Sequence, residues 1–180
     1  WLARFVNLAF VGFPQAAERL HAADTAVTGT PVRIEFQPRD PAPCRTALGL
    51  DANRPVVLVM GGSQGASGIN DMILSALPII AKLAPHWQWL HLTGPTNTGK
   101  VRQAYASLGL KAVVHPFLTE MDLALGASSA TVSRAGASSL AEIAAIRLPS
   151  LLVPYPSAAD NHQFHNARAF VETGAARLIE

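Results

Sequence analysis

Apolar positions fall into short runs, and from Val56 onward those runs alternate with segments of helical period. Residues 56–60, reading VVLVM, are continuously apolar, the pattern of a parallel strand buried on both faces. Ile69, Met72, Ile73, Ala76, Leu77 and Ile80 then recur at helical spacing. They predict an amphipathic helix to about Leu83, kinked at Pro78. Further strands are expected at 87–93, 112–115, 130–133, 151–153 and 176–179. Helices are expected at 100–108, 121–127, 140–146 and 161–173, with Gly109 and Gly174 as stops. Strands and helices alternating over short loops predict an α/β fold, a doubly wound parallel sheet over residues 31–180.

The first 55 residues are less regular. Residues 8–13 read as a strand ended by Pro14, and 26–28 as a second, closed by Gly29. Pro38, Pro41, Pro43 and Pro55 crowd residues 37–55, which read as a linker with a short helical piece at 45–48.

Composition narrows the function. The 180 residues are 49% hydrophobic, enough for one buried core. The formal charge is +2, from 14 basic and 12 acidic residues, and no basic run marks a nucleic-acid surface. The single cysteine, Cys44, excludes an internal disulfide and reads as a free structural thiol. No apolar run reaches the ~18 residues of a membrane span, and residues 1–20 lack the pattern of a signal peptide.

The chemistry concentrates at strand ends. Gly61-Gly62-Ser63-Gln64-Gly65 lies between a strand and a helix, where glycines expose backbone N–H groups to an anion. The same five residues fit the G-x-S-x-G elbow of a hydrolase, with Ser63 as nucleophile, His162 or His165 as base and Asp122 or Asp160 between. That fold needs upstream strands that this chain does not offer. A dinucleotide site wants an acidic residue ~20 positions on. Between Asp71 and Glu120 there is no Asp or Glu at all. Gly94 to Val101 falls one residue short of a P-loop and reads as an ordinary loop with a solvated Lys100.

A second small-residue turn, 133–139, repeats the pattern. Ser138 and Ser139 are placed to cap the next helix and face an anion. Glu142 follows, either complementing the helix dipole or accepting two ribose hydroxyls. Asp160, Asn161, His162, Gln163, His165 and Asn166 form a polar cluster suited to sugar hydroxyls, helix capping or a metal pair.

In combination these segments are far more specific. GTPVR at 29–33, GGSQGA at 61–66, PFLTEM at 116–121, RAGASSLAE at 134–142, PYP at 154–156 and HQFHNA at 162–167 follow one another in order. The chain thereby resembles the MurG family, bacterial N-acetylglucosaminyltransferases of glycosyltransferase family 28. Thr30 stands where that family usually has Asn. The resemblance implies the C-terminal half of a two-domain GT-B enzyme with Rossmann-like domains. Residues 1–30 would be the tail of the amino-terminal acceptor domain and hinge. Residues 31–180 would be the donor domain, lacking its last helices.

The resemblance also implies the reaction: N-acetylglucosamine passes from UDP-GlcNAc to lipid I, with inversion, giving lipid II for peptidoglycan. Leu118 would meet the uracil edge and Glu142 the ribose. Ser63, Ser138 and Ser139 would surround the diphosphate. Ala137 and Gln163 would address the sugar, and Arg33 would lie along the donor, with Leu140 counted in the same site. The catalytic base would come from the amino-terminal domain, so no catalytic residue is expected here. No cofactor or essential metal is expected. The implied partners are UDP-GlcNAc, lipid I through the other domain, and the cytoplasmic face of the bacterial inner membrane, bound peripherally. The chain alone is expected to bind donor weakly and not to turn over.

Overall fold

The computed structural model describes residues 2–18, 20–62 and 67–180. Six strands form one parallel sheet: β3 (Val56–Met60), β4 (Gln88–Leu92), β5 (Lys111–His115), β6 (Ala130–Ser133), β7 (Ser150–Leu152) and β8 (Ala176–Leu178). Their spatial order is β5-β4-β3-β6-β7-β8. The chain therefore winds outward one way from β3 and then returns to wind the other way from β6. That reversal opens a crevice at the carboxyl ends of β3 and β6, where open α/β sheets bind ligands. Two short strands, β1 (Ala9–Val11) and β2 (Thr25–Val27), pair parallel in a separate sheet, with α1 (Pro14–Ala17) between them.

Period-two alternation divides the core. Val56, Leu58 and Met60 of β3 face one layer with Leu90 and Leu92 of β4. Val59 and Trp89 face the other, against Ile69, Ile73 and Leu77 of α3 (Ser67–Leu83) and Val101 and Tyr105 of α4 (Thr98–Ser107). Ala124 and Leu125 of α5 (Met121–Ala127) and Ile143 of α6 (Ala137–Ile146) cover the first layer. α7 (His162–Glu172) then leads into β8. Pro78 does not end α3, which continues from Ser67 to Leu83. Ile73 and Leu77, buried just before the proline, hold that stretch on the sheet.

Residues 37–55 are not a linker. They fold onto the sheet domain as α2 (Pro41–Ala47) and its flanks. Phe36 and Leu50 enter the core, and Cys44 is buried with its thiol free. Arg45 ties α2 to the α5–β6 turn, donating through Nε to Ala127 O at 2.8 Å and through Nη2 to Ser129 Oγ at 3.0 Å. Gln88 secures the other end. Its Nε2 donates to Asp51 O and Arg54 O, and its Oε1 accepts from Asp51 N at 2.9 Å.

Candidate functional site

A cavity of about 600 Å³ opens at the carboxyl edge of the sheet. Its size suits a small organic ligand. Met60, Gly61 and Gly62 line it from the end of β3, and Leu92, Gly94 and Pro95 from the end of β4. The loop after β5 adds Pro116, Phe117, Leu118 and Thr119. Ser139 and Glu142 reach it from α6, and Arg33 from the segment after β2. Gly62 sits at φ +67°, a left-handed turn that a side chain would strain. Ser63 to Ala66, the rest of the glycine turn, lie outside the described residues, and the expectation for Ser63 lies there with them.

α6 begins three residues earlier than the sequence predicts, at Ala137, and this redistributes the expected site residues. Gly136 is its N-cap, and no side chain caps it, so Ser138 and Ser139 are first-turn residues and not caps. First-turn N–H groups lack intrahelical acceptors and face an anion favourably. Glu142 now lies beyond the first turn, which contains no acid. The dipole explanation for this carboxylate therefore falls away, because the dipole's influence fades within one turn. Burial raises the Glu142 pKa, and the Arg33 charge opposes that rise. Arg33 itself lies over the Phe36 ring, 4.9 Å from its centroid, which anchors an otherwise exposed guanidinium.

Of the expected residues, Arg33, Leu118, Ser139 and Glu142 come together in this cavity. Leu140 does not. Its side chain is fully buried with Ala135, Leu152 and Ala167, and its N–H donates to Gly136 O at 3.0 Å. The earlier start of α6 makes Leu140 its fourth residue and not its first. Gln163 is only 5% exposed, and its Oε1 accepts from Ala135 N at 3.2 Å and Tyr155 N at 3.0 Å. It braces the turns after β6 and β7 against each other. Ala137 lines a neighbouring groove with Gly12, Thr30 and Ala141, and Ser138 is exposed beside it.

Two contributors were not legible as such. Gly94 and Pro95, in a loop that resembles a failed P-loop, form cavity wall. Lys100, expected in a loop, lies in the first turn of α4 and pairs with Asp71 at 3.1 Å, both exposed. Arg134 is the other. It is buried, donates through Nη1 to Val153 O at 3.0 Å and Pro154 O at 2.9 Å, and lies 5.4 Å from the Tyr155 ring centroid. Burial lowers its pKa. Its Nη2 lies 3.1 Å from where a Cβ on Gly68 would stand, so a side chain there would press on the guanidinium. The R-A-G spacing places this arginine at the strand end, but only the fold shows it turned inward.

Among the described residues, which do not include Ser63, the rival chemistries lack their geometry. Asp122 is held by Arg39 at 3.1 Å. His162 Nδ1 meets Ala159 O at 2.7 Å. Among the described residues no histidine is hydrogen-bonded to a carboxylate, as a hydrolase relay requires. Nor do three or more His, Cys, Asp or Glu side chains among them cluster as metal ligands.

Comparison with known proteins agrees with the motifs. The model of the glycosyltransferase family 28 C-terminal domain matches residues 56–180. A protein of Anaeromyxobacter sp. (strain K), named UDP-N-acetylglucosamine--N-acetylmuramyl-(pentapeptide) pyrophosphoryl-undecaprenol N-acetylglucosamine transferase, is 40% identical over 179 residues. The match takes in 99% of this chain and 45% of that protein. A protein of the same name from Synechococcus elongatus is 43% identical over 180 residues, covering 98% of this chain and 47% of the relative. The chain thus spans about half the length of the curated relatives it matches. The crystal structure of Acinetobacter baumannii MurG superposes with a TM-score of 0.68 at 27% identity, over 95% of this chain and 50% of that one. The calicheamicin glycosyltransferase CalG4 shares the fold, with a TM-score of 0.58 at 19% identity over 96% of this chain and 40% of that one. The parallel sheet is that of a GT-B glycosyltransferase, and the chain belongs to glycosyltransferase family 28.

Proposed function

We propose that this chain supplies the UDP-N-acetylglucosamine site of an inverting transferase that converts lipid I to lipid II. The observation that carries the reading is the convergence of Glu142, Arg33, Leu118 and Ser139 on one cavity at the strand ends. In this reading the backbone at Leu118 reads the uracil edge, and the Glu142 carboxylate accepts the two ribose hydroxyls. The first-turn N–H groups of α6, with Ser138, Ser139 and Ser63, surround the diphosphate. Ala137 lies toward the sugar, beside the groove that continues past α6. Gln163 acts on the sugar end by fixing the turns that shape it.

The chemistry follows from the charges. As the acceptor hydroxyl attacks the anomeric carbon from the face opposite UDP, the sugar–phosphate bond breaks and negative charge grows on the departing diphosphate. Donors already aimed at that position stabilise the charge without reorganising. The acceptor proton needs a base. We assign that base, and the lipid I site, to the portion of the relatives that this chain does not match. Acceptor delivery from a cytoplasmic membrane surface, and peripheral attachment there, belong to the same reading. No helix among the described residues is long and apolar enough to cross a membrane.

Two-dimensional NMR titration tests the donor site, because it detects weak binding. UDP-GlcNAc should shift the amides of Gly62, Leu118 and Ser139 in a saturable way, and ADP-glucose should not. An equal response to both nucleotide sugars contradicts the reading. The same sample given UDP-GlcNAc and lipid I should form no lipid II by itself.

A further inference from the structure

We infer that Asn70 is a positioning residue that locks the wall formed by Gly94 and Pro95 to the first turn of α3. The inference rests on the reading of the cavity as a nucleotide-sugar site. Asn70 is 1% exposed and lies in the first turn of α3, directly after the glycine turn. Its Nδ2 donates to Thr93 O at 2.9 Å. With the amide nitrogen committed, Oδ1 faces His91 Nε2 at 2.9 Å and accepts from it. That assignment makes His91 the Nε2–H tautomer, so its Nδ1 accepts from the Tyr105 hydroxyl at 3.1 Å. On the far side, the Thr93 hydroxyl meets Gly94 O at 2.8 Å and Thr98 Oγ1 at 2.9 Å.

The chain of bonds thus joins α4, β4, α3 and the β4–α4 turn. The neighbouring core positions on α3 are Ile69, Ile73 and Leu77, and burial alone would be served equally by an apolar residue at 70. What the asparagine adds is direction. A satisfied buried network holds its members in one geometry, where packing alone permits several. The Gly94–Pro95 turn after β4, which lines the cavity, is thereby kept in register with the first turn of α3.

The test separates positioning from stability. Three variants, Asn70→Leu, Asn70→Asp and Tyr105→Phe, are titrated with UDP by NMR and melted. Asn70→Leu and Asn70→Asp both remove the donor to Thr93 O and should weaken UDP binding about fivefold or more. Tyr105→Phe leaves the Asn70–Thr93 bond intact. It should lower Tm by about 5 °C with the UDP Kd within about twofold of the parent. Should Asn70→Leu not fold, the near-isosteric Asn70→Asp decides. Folded Asn70→Leu or Asn70→Asp protein that binds UDP like the parent overturns the inference. So does Tyr105→Phe weakening UDP as much as they do, since the effect would then be one of stability. A parent protein that does not respond to UDP at all overturns the donor-site reading itself.

Discussion

Glu142 and Arg33 line one cavity, and the Arg33 guanidinium opposes the burial that raises the Glu142 carboxyl. The arginine precedes the whole six-stranded sheet, while the glutamate follows its fourth strand in sequence. The carboxyl is half-buried, and its ionised form, which the nearby cation favours, accepts hydrogen bonds through both oxygens. Ribose hydroxyls require that form.

Replacing Glu142 by Gln should therefore separate stability from binding. The amide removes a charge that burial disfavours, so Tm at pH 7 should hold or rise. Hydrogen bonds to a charged group are worth ~1.5–3 kcal/mol, so UDP affinity should fall about 10–100-fold. The sign of the pH dependence follows from the raised pKa. Below that pKa the carboxyl is protonated, so UDP binding should weaken as pH falls through it, and the Gln variant should lose that dependence. Calorimetric or NMR titration between pH 7 and 4 checks this.

Gln163 should behave in the opposite way. Leucine at this position would strand the N–H groups of Ala135 and Tyr155, which now share one acceptor. The expected cost is about 1–3 kcal/mol for each stranded donor, read as a lower urea midpoint. Because the turn after β6 leads into α6, whose Ser139 and Glu142 line the cavity, UDP affinity should fall as well. A Gln163→Leu protein as stable as the parent would show that the two turns hold each other without this bridge.

His91 gives a pH signature of the fold. Burial lowers its pKa from 6.5 to about 4. The unfolded chain binds this proton at higher pH than the folded one, so stability falls as pH drops from 6.5 toward 4. The full loss from this one group is on the order of 3 kcal/mol. Above pH 6.5 the neutral imidazole contributes no pH dependence. NMR titration of the ring should find His91 still neutral at pH 5.5, with a proton on Nε2. A midpoint near 6.5 would contradict the buried network.

Much of this site could be read from the chain, for identifiable reasons. Val56 to Met60 is a run too apolar and too short for anything but an inner strand, and the glycines after it have no role inside a helix. Glu142 follows the small-residue turn at 133–139 closely enough to be read as a candidate ribose carboxylate. Other features depend on tertiary context. The prolines at 41 and 43 suggest a linker, yet Pro41 opens α2 behind Asp40, whose Oδ1 accepts from Ala42 N at 3.0 Å. The helix start at Ala137, three residues before the expected one, and the packing of the Leu140 side chain in the core were not readable from periodicity. The inward turn of Arg134 and the double acceptor role of Gln163 follow from side-chain packing, which periodicity does not encode.

The most direct test is a crystal structure of this chain with UDP-GlcNAc. The account predicts density in the cavity between Gly62, Leu118 and Glu142, with the ribose hydroxyls at hydrogen-bond distance from the Glu142 carboxylate and the diphosphate against the start of α6. A ligand seated elsewhere on the chain, with Glu142 facing empty solvent, would contradict it.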